Sequence, residues 1–260
     1  MTAYIRELFQ YRELLWSWVA RNIKVRYKQS LLGIAWAILQ PLSATLIMTI
    51  VFSRFIPVST GGIPYPIFYY SALLPWTFSS SSISFGTNCL VSNLNLITQI
   101  YFPREILPIS GVLASLVDFL IAAVIFAAMV VFYQVPVGLS WVWVPVLLLI
   151  QILLTLGIVF FASALNVFYR DIRFVVPLGI QLWMYLTPII YPLSLVPERF
   201  RAVYMLNPMA GLIDSYRRIV LHAQWPNVTY LLTAALISVV VFWLAYAYFK
   251  RAEAVFADII

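Results

Sequence analysis

The sequence predicts an all-α membrane protein with six transmembrane helices, an N-terminal amphipathic helix at the interface, and short re-entrant outer helices before the last span. Three observations carry this expectation. Charged residues make up 10% of the 260 and hydrophobic residues 63%, with a mean hydropathy of +0.96, whereas a soluble domain carries about a quarter charged residues. Several windows exceed the roughly 20 mostly apolar residues needed to cross a bilayer. The basic residues sit at the flanks of these windows, where the positive-inside rule and anionic headgroups account for them.

The same placement argues against a nucleic-acid partner despite a net charge of +7. One cysteine, Cys89, and one histidine, His222, cannot build a disulfide framework or a metal site within the chain. No close carboxylate pair, Ser-His-Asp set or phosphate-binding G-x-x-x-x-G-K-[ST] loop occurs, so no catalytic residue is assigned. If ATP powers the protein, another subunit hydrolyses it.

The interfacial helix covers residues 3 to 28, within a cytoplasmic segment of 1–30. At about 100° per residue, Ile5, Leu8, Phe9, Leu15, Trp16, Val19 and Ile23 share one face. Arg6, Glu7, Gln10, Glu13, Ser17, Arg21, Lys24 and Lys28 share the other, with Arg12 intruding on the apolar face and Leu14 and Trp18 lying off it. A secretory signal is not expected, because charge continues to Lys28 with no early apolar core or cleavage site. Charge then stops until Arg54, as the chain turns into the membrane.

Six spans are expected at residues 31 to 53, 65 to 92, 106 to 133, 141 to 166, 174 to 193 and 228 to 249. The first long uncharged window divides at Pro57, Gly61, Gly62 and Pro64, the second at Pro136, Gly138 and Ser140. Spans one to five thus occupy 31–193, an outer loop 194–226, span six 227–249 and a cytoplasmic tail 250–260, all in one transmembrane domain. The side holding both termini carries eleven Lys and Arg and the other five, which makes the termini cytoplasmic. In the outer loop, Pro197 with Glu198 starts one short helix, and Asn207 capping Pro208 starts a second. Both are too short and charged to span, and can dip into the outer leaflet where protein covers their ends. No internal repeat argues for an inverted-repeat transporter.

Four motifs carry a resemblance: Tyr27-Lys-Gln-Ser-Leu-Leu-Gly-Ile-Ala-Trp-Ala-Ile-Leu-Gln-Pro41, Phe102-Pro-Arg-Glu-Ile-Leu-Pro108, Asn166-Val-Phe-Tyr-Arg-Asp171 and Asn207-Pro-Met-Ala-Gly-Leu-Ile-Asp-Ser-Tyr-Arg217. In this order, over nearly the whole chain, they resemble the permeases that export O-antigen, capsule and teichoic-acid polymers. The resemblance implies the permease half of an ABC-2 type exporter in the bacterial inner membrane. Two copies would work with two ATP-binding cassette subunits, which bind ATP and magnesium; this chain needs no cofactor of its own. The implied cargo is a polysaccharide on a polyprenyl lipid. The resemblance also places a coupling helix between spans two and three, where Asn93 to Glu105 can form a short helix ended by Pro103. Gln99, Phe102, Arg104 and Glu105 are candidates for ATPase coupling there, and Tyr169, Arg170 and Asp171 for a second contact. The alternative is that Arg104 and Arg170 only anchor span ends. Asn207, Tyr216, Arg217 and Arg218 are candidates for an outer gate.

Proline kinks a helix and frees a carbonyl, and an amide in the bilayer belongs toward a wet interior. Trp36, Gln40 and Ser43 are therefore expected to face a conduit; the alternative is a packing kink with Gln40 bonded to a neighbouring helix. In the fifth span Gln181, Met184, Tyr185 and Pro188 fall on one helical face with Tyr191 a turn further, the hydrogen-bonding and aromatic mixture a sugar chain needs. The competing account of the aromatics is an interfacial belt. Asp118, mid-span and without a partner visible in the sequence, is read as a protonated or hydrogen-bonded structural group, His222 as interfacial, and Asn227-Val-Thr229 as a sequon of little weight. Membrane lipids are further partners. The alternative function within the family is export of a small lipid or drug. Outside it stand a proton-coupled transporter or a membrane enzyme acting on a lipid carrier, either of which would work without an ATPase and, as a class, depend on Asp118.

Overall fold

The computed structural model of the chain describes residues 10–28, 30, 32–99, 101–254 and 256. The expectations for Ile5, Arg6, Glu7, Leu8, Phe9 and the end of the tail lie outside them. Among the described residues no strand occurs. The helices are α1 (Arg12–Tyr27), α2 (Trp36–Ile50), α3 (Tyr65–Thr87), α4 (Leu94–Gln99), α5 (Ile106–Phe132), α6 (Val144–Phe168), α7 (Ile172–Tyr185), α8 (Glu198–Tyr204), α9 (Pro208–His222) and α10 (Val228–Glu253).

Among the described residues four stretches are long and apolar enough to cross a membrane: Gly33–Phe55, Ile106–Phe132, Leu139–Phe168 and Val228–Glu253. They answer the expected first, third, fourth and sixth spans. α2 runs through Pro41 without a break and ends in a π turn at Val51–Phe55. α3 has 23 residues but is rich in serine, tyrosine and proline. α7 has 14, about 21 Å of helix, against a hydrocarbon core of roughly 30 Å.

The fifth-span reading needs correcting at its far half. The helix stops at Tyr185, so Pro188 and Tyr191 do not continue the face of Gln181 and Met184. Pro188 cannot donate to the Met184 carbonyl and disfavours helical backbone at Thr187. The Thr187 N–H instead closes a tighter turn onto Met184 O at 3.3 Å.

The described core is divided along the bundle. At the end away from the termini, aromatic residues of α3 pack on α9 and on the adjoining halves of α5, α6 and α10. At the termini end, Trp18, Leu90, Phe102, Phe160 and Phe249 gather around the α4 loop. A small cluster, Phe78, Ile83, Val112 and Val159, joins the two. α6 and α10 approach closely: a Cβ on Gly157 would lie 2.9 Å from the Phe242 backbone, the small-residue contact that lets membrane helices pack without a hydrophobic drive.

α1 packs along α5 on a face different from the one periodicity suggests. Val19 of the expected face is buried, but so are Trp18, which lies off it, and Asn22, while Trp16 of the expected face is 62% exposed. The reason is polar: the Asn22 amide donates to Ser110 Oγ at 3.1 Å, and Arg26, one turn on, reaches further along α5. Those bonds fix the rotation of α1, and Trp18 turns inward with them.

Candidate translocation groove

α2, α3 and α5 enclose a groove of about 750 Å³, closed on one side by Met184 of α7. Trp36, Gln40 and Met184 therefore line one space. Ser43 does not line it; its hydroxyl donates to the Leu39 carbonyl at 2.5 Å, one turn back along α2. Gln181, Tyr185 and Tyr191 are also not among its lining residues. Opposite Trp36 and Gln40 stand Tyr69 and Trp76 and a hydroxyl stripe of Thr77, Ser80, Ser81 and Ser84 from α3. Aromatic faces with hydroxyl and amide groups between them suit a chain of polar rings better than an ion.

The groove's one acid is not alone. Asp118 Oδ2 pairs with Arg26 Nη1, and Asp118 Oδ1 accepts from the Tyr27 hydroxyl at 2.6 Å. Arg26 Nη2 also donates to Ser115 Oγ at 3.3 Å. Asp118 is thus hydrogen-bonded, as read, and its partners, which the sequence did not show, are 92 and 91 residues away in the chain. Burial, followed by the bond to Asp118, raises the Tyr27 pKa, so the phenol stays a donor.

At the termini end the expected coupling residues separate into two groups. Phe102 and Glu105 are buried, and Glu105 Oε1 lies 2.6 Å from Lys250 Nζ, which is also 2.6 Å from Glu253. The Tyr246 hydroxyl donates to Glu105 at 3.3 Å, and Arg104 bonds the Glu253 carbonyl. These side chains tie the α4 loop to the end of α10. Gln99, Tyr169, Arg170 and Asp171 are exposed instead. Asn166 ties the end of α6, just before Tyr169, to the end of α3, donating to the Thr87 carbonyl at 2.9 Å.

At the far end, Asn207 and Arg217 hold the irregular chain that follows α7. Asn207 Oδ1 caps Met209 N–H at 3.1 Å and accepts from Trp183 Nε1 at 2.9 Å, while its amide donates to Leu186 O and Thr187 Oγ1, both at 3.0 Å. Arg217 donates to the carbonyls of Pro188, Ile189 and Tyr191 at 2.6, 2.7 and 3.2 Å, with its guanidinium 3.7 Å over the Phe68 ring. Burial lowers its pKa to about 9 against the pull of Asp214, so it remains a cation at neutral pH. The Tyr191 hydroxyl meets that of Tyr204 at 3.1 Å. Arg218 pairs with Asp214 along α9 at 2.9 Å. Tyr216 points into the core, donating to Gln151 at 3.1 Å; Gln151 donates to Pro75 O and Ser79 Oγ.

Residues 13–221 match the family described as ABC-2 type transporter. The chain belongs to that family. It is 35% identical to the O-antigen export system permease protein RfbA of Myxococcus xanthus over 99% of both chains. It is 32% identical to the protein of that name from Klebsiella pneumoniae over 92% of both. The polysialic acid transport protein KpsM of Escherichia coli is 21% identical over 90% of this chain and 91% of its own.

In this ABC-2 chain, sequence reasoning missed Arg26, Gln151 and Lys250. Gln151 carried a usable signal, an amide inside a long apolar run, as Gln40 did. Arg26 and Lys250 carried none beyond their charge, because their partners come from distant segments. Asn227, noted as part of a sequon, caps α10: its Oδ1 accepts from Thr229 and Tyr230 N–H at 3.1 and 3.3 Å.

Proposed function

We propose that this chain is the permease subunit of an ATP-driven exporter that moves lipid-linked, O-antigen-like polysaccharide across the bacterial cytoplasmic membrane. One observation carries the reading: similarity over essentially full length to permeases named for O-antigen export. The aromatic and hydroxyl surface that α2 and α3 give the groove is the matching chemistry.

In this reading six segments span the membrane, α3 and α7 being the second and fifth, with both termini cytoplasmic on the side of the eleven basic residues. Two copies pair so that α2 and α7 of each complete the conduit. Two ATPase subunits, which bind ATP and magnesium, press on Gln99 and on Tyr169 to Asp171. The load passes from the α4 loop through Arg104, Glu105 and Lys250 into α10. Arg217 and Asn207 brace the outer end of α7, where the chain leaves.

The test is the location of lipid-linked polysaccharide in cells depleted of this protein and in cells whose partner ATPase is inactive. Polymer held on the cytoplasmic side in both is the expected result. Normal surface polymer in both would overturn the cargo and bring forward a small-lipid exporter.

A further inference from the structure

A neutral sugar chain has no use for the one ion pair in the groove. Arg26 and Asp118 side chains are 22% and 20% exposed, and such a pair is weak evidence of stabilisation, since apolar residues of similar volume would hold α1 on α5 as well. Arg26 is also incompletely used. Of the five N–H donors of a guanidinium, Nη1 serves Asp118 and Nη2 serves Ser115, while the Phe85 ring lies 5.1 Å from its centre. The hydroxyls of Tyr27, Ser81 and Ser84 line the same space. Asp118 is held twice, and the Tyr27 bond survives if the guanidinium turns away.

We propose that Arg26 is a binding site for a phosphate group entering the groove, and that Asp118 keeps this cation neutralised until phosphate displaces the carboxylate. The guanidinium fork matches phosphate as well as carboxylate, and a phosphate monoester brings the greater charge. The oxyanions concentrated at a membrane surface are lipid phosphates, and α1 ends at Tyr27, shortly before the apolar stretch Gly33–Phe55. α2 turns Leu39, Leu46 and Ile47 outward, 40%, 64% and 59% exposed, so a lipid tail can remain outside while its head reaches Arg26. The inference rests on the export reading of the groove, but its test needs neither the ATPase nor transport.

The full chain in phosphatidylcholine nanodiscs is titrated calorimetrically with farnesyl phosphate, farnesol and inorganic phosphate. Farnesyl phosphate is expected to bind more tightly than farnesol, to lose about tenfold in affinity in Arg26→Gln, the loss of one charge-assisted bond, and to gain affinity in Asp118→Asn. Farnesol binding equally well, an unaffected Arg26→Gln, or unchanged or weaker binding in Asp118→Asn would overturn the proposal. Arg26→Lys preserves the ion pair should the neutral variants not fold; it is expected to bind about threefold more weakly or worse, because an ammonium lacks the fork, and wild-type affinity there overturns the proposal. Competition by inorganic phosphate would support the site as one for the free anion, and its absence would support a lipid head.

Discussion

α3 and α7 are held in opposite ways. α3 buries seventeen of its 23 residues although it is not among the stretches apolar enough to cross a membrane. α7 is apolar and buries none of its 14. In water this would be inverted, but an apolar side chain gains nothing by leaving lipid for protein, whereas a serine, a tyrosine hydroxyl or an amide does. Tyr70 bonds the Ala122 carbonyl at 3.0 Å and Ser79 meets Thr155 at 3.1 Å. α3 is the polar axis on which the bundle is assembled, and α7 is a wall that leans on it through the half-buried Val176, Ile180 and Trp183.

Glycine substitutions break the comparison most directly. A Cβ on Gly86 of α3 would run into the side chain of the buried Val159, while one on Gly179 of α7 meets nothing within 4 Å. Gly86→Leu should cost about 3 kcal/mol through overpacking, and Gly179→Leu less than about 0.5. Thermal unfolding of both variants in detergent checks this, and equal loss would mean that α7 is packed as tightly as α3.

Next comes the amide at the centre of the axis. Gln151→Leu leaves Ser79 and Tyr216 without that partner and should cost about 2 kcal/mol, whereas Gln181→Leu on exposed α7 should leave the melting temperature unchanged. Adding Tyr216→Phe to Gln151→Leu should recover part of the loss, because the stranded hydroxyl disappears. An additive result would show that Tyr216 does not depend on Gln151.

Smaller and local is the effect at the bracket beyond α7. Arg217→Met removes the donors to the carbonyls of Pro188, Ile189 and Tyr191. Amide exchange across residues 186–191 should rise by about tenfold, or about 1.4 kcal/mol of local opening, with α3 unaffected. Unchanged exchange would mean that Asn207 and Tyr65, whose hydroxyl donates to the Ile190 carbonyl at 3.0 Å, suffice to hold the segment.

How legible these features were depends on how far their causes extend along the chain. The Asn207-Pro208 start of α9 was readable because a cap and a first-turn proline are local. So was the short helix before Phe102, and so was a groove beside Gln40, since an amide and a proline in an apolar run are themselves the signal. The rotation of α1 was not readable: hydrophobic periodicity assumes an apolar docking face, and Asn22 and Arg26 dock through hydrogen bonds to α5. The inward turn of Glu105 depends on Lys250, which no local pattern ties to it. Tyr191 was placed on a helix that Pro188 ends, a local signal present in the sequence but outweighed by the apolar run.

The smallest expected change in stability is also the one that separates wall from axis by function. Gln40 is exposed within the groove and Tyr185 is 58% exposed at the end of α7. Gln40→Leu combined with Tyr185→Ala strands no buried partner, so stability should move by less than about 0.5 kcal/mol. If α2 and α7 form the path, the double variant should assemble normally and still stop polymer from reaching the surface, as assessed by surface glycan staining alongside co-purification of the ATPase. Unimpaired export would remove both residues from the path and leave the hydroxyl stripe of α3 as the surface the cargo follows. An assembly defect would instead make α7 part of the scaffold, against its lack of burial in the chain.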